Sequence, residues 1–173
     1  MIKAVKELKK EKFASIDHKS GVYIWWFQED CVNKLLKPIG GGEMSRIQKK
    51  IIAGKNYYAL YFGIAKDCRQ RASWHMAQHH TLPAVRSGFL STLRRTLSAL
   101  LNVNMTAAEN RVNNFIEENC YWEWSYTNDK KEAEKMEQRE LRNNYYPLNI
   151  QGNKNVPKEY LSKLKSLRRE YKK

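Results

Sequence analysis

Tyrosine, arginine, histidine and glutamate, the residue types that phosphate chemistry uses, occur in this chain at spacings that let a fold gather them. The densest stretch runs from Tyr57 to His75. Asp67 can cap a helix beginning near Cys68, and on that helix Arg71 and His75 lie four apart and share one face. The residues before it, Tyr57 to Ile64, are aromatic and apolar enough for a mostly buried strand. Gly63 marks a bulge or a close backbone approach near the strand's end. Tyr61 is thereby aimed at the same place as Arg71 and His75. An arginine there can hold a phosphate through two parallel hydrogen bonds and offset developing negative charge, which a lysine does less well. His75 can act as a general base or orient tyrosine hydroxyls. The ordinary roles of these types are a solvated arginine, a partly buried histidine beside Trp74, and core tyrosines at Tyr23 and Tyr61.

A second group lies downstream. Glu137 is four residues from both Ala133 and Leu141, so on a helix it points with the apolar stripe, where an unpaired carboxylate is costly. Something cationic should meet it, either a buried arginine or a hard cation such as Mg²⁺ with waters completing its shell. Glu140 falls on the same side, and periodicity does not choose between the two. Lys66 is a candidate to depress a tyrosine pKa or touch a phosphate, and Asn149 sits in a Pro-containing turn that any turn-forming Asn would suit.

These residues need elements to hold them. Gly21 to Phe27 has the aromatic and β-branched content of a central strand covered on both faces. Tyr121 to Thr127 alternates as a third strand, with Trp122, Trp124 and Tyr126 on one face. Residues 28–56 read as an insert of loop and helix: the glycine run Gly40 to Gly42 suits a flexible hinge, and Met44, Ile47, Ile51 and Ile52 have helical spacing. Further helices are expected over Ile2 to Phe13, with Val5 and Leu8 inward, over Phe89 to Leu101, with Arg94 and Arg95 off its apolar stripe, and from a Thr106–Glu109 capping box to about Glu118. Two more are expected, from about Asp129 to Asn144 and from Pro157 onward, where Tyr160, Leu161, Leu164 and Leu167 face inward. Arg69, Arg94, Arg95, Lys165, Arg168 and Arg169 lie on the polar sides and, with Lys66, are candidates for backbone phosphates.

With 173 residues, 42% hydrophobic, the chain suits one domain with a sizeable core, and its net charge of +14 implies an anionic partner. Nucleic acid is favoured over a membrane surface, because the basic residues are spread through every segment and no long basic amphipathic helix appears. Cys31, Cys68 and Cys120 lack disulfide or zinc spacing, and no apolar run approaches the roughly 20 residues of a membrane span. The expectation is a soluble protein of the cytoplasm or nucleoid, with no organic cofactor.

Together the residues resemble a family. Gly21-Val22-Tyr23, then Tyr61-Phe62-Gly63 with Arg71 eight residues after the glycine, then Glu137 and Pro147-Leu148-Asn149, are similar to the GIY-YIG nuclease domain. The resemblance spans Gly21 to Asn149. It implies a mixed α/β (α+β) domain on a small three-stranded, mainly antiparallel sheet ringed by helices, occupying residues 1–150, with residues 151–173 as a basic helix packed on it. It also implies a metal-dependent endonuclease, using Mg²⁺ or Mn²⁺, that acts on DNA, with double-stranded DNA as the expected partner. Tyr23, Tyr61, Arg71, His75, Glu137 and Asn149 would then be the catalytic residues and Glu137 the metal ligand. The general base stays open among Tyr23, Tyr61 and His75. Glu140 departs from the family, which commonly has an apolar residue there, and so does Ile64, where some members carry a basic one. A non-catalytic binding module of the same fold and an RNA-directed nuclease are the alternatives.

Overall fold

The computed structural model describes residues 1–41 and 43–173. In chain order the elements are β1 (Ile2–Ala4), α1 (Val5–Lys10), β2 (Gly21–Gln28), α2 (Glu29–Leu36), β3 (Lys49–Ile52), β4 (Lys55–Ala65), α3 (Cys68–Ala77) and α4 (Leu82–Ser87). They continue with α5 (Thr92–Leu100), α6 (Glu109–Asn119), β5 (Cys120–Tyr126), α7 (Lys130–Asn143) and α8 (Lys158–Glu170). Among the described residues five strands form one antiparallel sheet in the order β1-β5-β2-β4-β3.

Strand β2 is central because its sequence suits burial on both faces. Tyr23, Trp25 and Phe27 enter the main core, against Leu60, Trp122 and Trp124 of the neighbouring strands and against residues of α1, α2, α3, α5, α6 and α8. Val22 and Trp26 enter a smaller core with Ala59, Phe62 and the α7 residues Ala133 and Leu141. The two-residue side-chain period of a strand does this sorting.

The sheet has five strands where three are expected, and the physical reason lies in two short segments. Ile2–Ala4 reads as the start of a helix, yet pairs with β5 at Ile2↔Glu123 to Ala4↔Tyr121. Within 28–56 the helix is Glu29–Leu36, with Val32, Leu35 and Leu36 buried. The stretch from Met44 to Ile52, whose spacing is helical, is instead a single 3₁₀ turn, Met44–Arg46, followed by β3. Ala53 and Gly54 both have positive φ, the requirement of a tight two-residue hairpin turn, and so fold β3 back onto β4. Gly40 and Gly41, also at positive φ, close the turn after α2 by bonding the carbonyls of Lys37 and Leu36. Gly42, the third residue of the expected hinge, lies outside the described residues.

Two helix starts move. Helix α5 begins at Thr92, capped by Ser91, and Phe89 is 65% exposed instead of joining the apolar stripe. Helix α6 begins at Glu109 without a side-chain cap: Thr106 donates its hydroxyl to the Lys173 carbonyl, and Glu109 accepts the backbone N–H of His80. Among the described residues, no helix is long and apolar enough to cross a membrane.

Candidate active site

The site forms where β4 runs past the end of its partner β3. Strand β3 pairs only with Lys55 to Tyr58. Beyond that, the outer edge of β4 would leave polar backbone groups unpaired inside the protein. The turn after α7 takes them. Leu148 N–H donates to the Leu60 carbonyl, while Asn149 accepts from Phe62 N–H at 2.8 Å and donates to the Phe62 carbonyl at 2.7 Å. Asn149 and Leu148 thus stand in for a missing strand on both sides of Tyr61.

A bulge then aims Tyr61. The register of β2 against β4 runs Trp25↔Tyr61 and Trp26↔Ala59, which leaves Leu60 as an extra residue. Leu60 and Tyr61 therefore face the same main core despite being sequence neighbours. Without the extra residue Tyr61 would point to the α7 face. Opposite Tyr23 the strand carries Gly63, and a Cβ there would lie 2.9 Å from Cε2 of the Tyr23 ring and closer still to its hydroxyl. Glycine is what lets the Tyr23 ring lie across β4.

Three rings meet in this space. The centroids of Tyr23 and Tyr61 are 6.3 Å apart, those of Tyr23 and His75 5.2 Å, and those of Tyr61 and His75 6.0 Å. Asp67 caps α3 by accepting Gln70 N–H, which sets the phase that turns His75 inward. His75 Nε2 is 2.7 Å from the Tyr23 hydroxyl and its Nδ1 2.7 Å from the Ser91 hydroxyl, so the imidazole bridges two hydroxyls. Burial, then the charges of Arg71 and Arg94, hold the His75 pKa well below its ordinary value. Burial raises both tyrosines, and the Arg71 charge partly opposes this. The imidazole thus lies between the Tyr23 phenol and the Ser91 hydroxyl, and burial favours the uncharged form of all three rings.

Helix α7 presents Glu137 from the other side. A cleft of about 170 Å³ is lined by Tyr61, Thr92, Arg95, Glu137, Asn149, Ile150, Gln151 and Arg168. Burial first, and then neighbouring Glu134, push the Glu137 carboxyl above its usual range, partly offset by Arg71. Among the described residues Glu137 forms no hydrogen bond or ion pair. Glu140 is engaged elsewhere, where its Oε2 accepts from Asn144 Nδ2 at 2.6 Å and from the Tyr146 hydroxyl at 3.2 Å. Of the two carboxylates that periodicity leaves open, Glu137 lines the cleft and Glu140 does not. Arg71 lies with its guanidinium 5.3 Å from the Trp74 ring centre, and its charge reaches Tyr23, Tyr61, His75 and Glu137 alike.

Of the expected phosphate ligands, Arg95 and Arg168 line the cleft, and Lys165 and Arg169 line a wider groove beside it. Lys66 is exposed just before α3, and Arg69 reaches toward the Lys12 carbonyl; neither lines the cleft. Arg94 is a correction. It is fully buried, donating from Nε to His80 Nε2, from Nη1 to the His75 carbonyl and from Nη2 to Asn113 Oδ1. It cannot reach a nucleic-acid phosphate, and instead ties the end of α3 to α5 and α6. Ser91, bonded to His75, and Gln151, which lines the cleft, join the candidate site without being expected there. A serine three residues before Arg94 at the mouth of an apolar-periodic stretch is the capping signal that marks Ser91.

The buried neutral His75 has a consequence for stability. Its folded pKa is below its unfolded value near 6.5, so below that pH the unfolded chain takes up a proton that the folded chain refuses. Stability attributable to it is complete above pH 6.5 and falls as pH drops, by at most about 1.4 kcal/mol per pH unit. His80, lowered by burial and Arg94, adds in the same direction. Urea unfolding between pH 7.5 and 5.5 is expected to show this decline, shallower in His75→Gln; an equal slope in that variant would mean His75 titrates normally in the folded protein.

The family model for the GIY-YIG catalytic domain matches the chain over residues 21–170, from the glycine that opens β2 to the end of α8. No curated protein and no solved structure matches the chain.

Proposed function

Because this chain belongs to the family of GIY-YIG catalytic domains, a family of nucleases, we propose that it is a metal-dependent endonuclease hydrolysing phosphodiester bonds in double-stranded DNA. The observation that carries the reading is Glu137: a half-buried carboxylate without a protein partner among the described residues, in one cleft with Tyr61 and two arginines. Among the described residues no group of three or more His, Cys, Asp or Glu side chains is placed to hold a metal. That donor set does not suit zinc. It fits Mg²⁺ or Mn²⁺, which keep most of their waters and take one or two carboxylates together with the substrate's phosphate. Glu137 would hold such an ion, whose charge would stabilise the phosphate and the leaving oxygen.

The remaining roles belong to the chain. Arg71, steadied on Trp74, clamps the scissile phosphate and stabilises the charge that develops there. Tyr61 and Tyr23 keep their protons at rest and orient the attacking water through their hydroxyl oxygens. His75 accepts the displaced proton through the Tyr23 hydroxyl, and Ser91 fixes its ring. A bound phosphodiester adds negative charge nearby, which makes His75 a better proton acceptor than in the empty site. Asn149 keeps Tyr61 in place through Phe62. The net charge of +14 supplies affinity for the polyanion that does not depend on base sequence.

The test is incubation of the chain with supercoiled plasmid in Mg²⁺, Mn²⁺ or EDTA, with duplex DNA and duplex RNA as competitors. Nicked or linear product that needs metal, suppressed by DNA more than by RNA, is the expected result. Binding without cleavage of any DNA in either metal would replace the nuclease by a binding module of the same fold, and stronger competition by RNA would move the substrate.

A further inference from the structure

The two arginines that line this cleft are built unlike the buried Arg94. Arg95 comes from α5 and Arg168 from α8, helices that pack together, and both line the cleft that holds Tyr61 and Glu137. The Nε of each is buried and has no hydrogen-bond partner. Among the described residues neither forms an ion pair. Arg168 is pushed down to about 10 by burial and by the charge of Arg95, so two like charges are held close. Such an arrangement costs stability unless something anionic completes it.

The same protein shows what a structural buried arginine looks like. Arg94, one residue before Arg95, satisfies Nε, Nη1 and Nη2 with His80, the His75 carbonyl and Asn113. Arg95 and Arg168 lack this set of partners: each keeps a buried Nε without a bond while its side chain lines the open cleft. We propose that Arg95 and Arg168 form a second phosphate pocket, which holds the backbone phosphodiester next to the scissile one on the same strand and leads that strand out over α8. The proposal rests on the nuclease reading above.

A backbone diester suits the surroundings better than a lone terminal phosphate. Arg95, Gln151 and Arg168 also border a neighbouring groove of about 430 Å³ that continues along Ser162, Lys165, Arg169 and Lys172. One phosphate cannot occupy the pair and that row together, whereas a strand can, placing successive phosphates on successive cations. Arginine's planar fork grips phosphate oxygens in two parallel bonds, which fixes the register of the strand in addition to attracting it. The pair would thereby act as a positioning device for the cut.

The experiment is a methylphosphonate scan, in which each phosphate around the cut is made neutral in turn, with binding to the full chain measured by fluorescence anisotropy in EDTA. Wild type should lose about tenfold or more in affinity at one phosphate flanking the cut on one side, the scale of a charged hydrogen-bonded contact. In Arg95→Gln and Arg168→Gln that position should cost less than about twofold, with losses elsewhere unchanged. Arg168→Lys, which keeps the charge and is the more conservative change for folding, should fall between. A loss spread evenly over all phosphates, or a position-specific loss that survives both glutamine variants, would overturn the pocket. Tighter binding of a 5′-phosphorylated duplex than of its 5′-hydroxyl twin, abolished by the same variants, would overturn the diester assignment in favour of a terminal phosphate. Because binding in EDTA needs no cleavage, a chain that cuts nothing but loses affinity at one phosphate, and does not in the glutamine variants, keeps a phosphate site on Arg95 and Arg168 while losing the nuclease reading and the site's place beside a cut; one that cuts without the position-specific loss loses the pocket alone.

Discussion

Glu137→Gln is expected to reduce plasmid cleavage by about a thousandfold or more, while DNA binding in EDTA stays within about twofold of wild type. The substitution removes the charge and leaves the shape. Glu137 is a half-buried carboxylate whose pKa is raised by burial and by Glu134, so its ionised form is held at a cost that the charge of Arg71 only partly offsets. The urea midpoint of Glu137→Gln at pH 7.5 should therefore equal or exceed that of wild type. Loss of cleavage with no loss of stability is the signature of a side chain kept for chemistry. Glu140→Ala is the contrasting variant. It strips partners from Asn144 and the buried Tyr146 hydroxyl and should cost about 1–3 kcal/mol of stability with cleavage retained. Cleavage that survives Glu137→Gln and vanishes in Glu140→Ala would exchange their roles.

Arg71→Ala should lower cleavage by about a hundredfold to a thousandfold at saturating DNA, the scale seen when one preorganised donor to a transition-state charge is removed. Arg71→Lys should restore only a small part, because an ammonium offers neither the two parallel bonds to phosphate nor the flat face that rests on Trp74. The electrostatics supply a second readout. Arg71 is one of the charges that depress His75, so its removal lets the folded His75 pKa climb back toward 6.5. The proton refused by the folded state is then refused over a narrower range, and the decline in stability below pH 6.5 should flatten in Arg71→Ala. Wild-type cleavage in Arg71→Ala would remove this arginine from the site; an unchanged pH slope would show that its charge does not reach His75.

Much of the candidate site's layout was legible because its spacing is local. The Asp67 cap and the four-residue step from Arg71 to His75 are properties of one helix, and the alternation of β2 and β5 sorts their side chains without any partner. Composition alone pointed to a polyanion. The misread segments are those where local preference is weak and tertiary pairing decides. Lys49–Ile52 has helical spacing, but β-branched Ile51 and Ile52 take the strand state once Ala53 and Gly54 turn them onto β4. Ile2–Ala4 is too short to declare itself and exists as a strand through its ladder with β5.

The order of residues sets which types are available for phosphate chemistry and on which helices and strands most of them ride. Which of them meet is a matter of packing between distant segments. The extra residue at Leu60 turns Tyr61 toward Tyr23, Gly63 leaves room for the Tyr23 ring, and Asn149 replaces a strand that is not there. Tertiary structure likewise separated Arg94, spent on internal hydrogen bonds, from Arg95, left facing the cleft. Neighbours in sequence on one helix differ by about 100° in direction, so a single residue divides core from cleft, and that division is set by what packs against the helix from elsewhere in the chain.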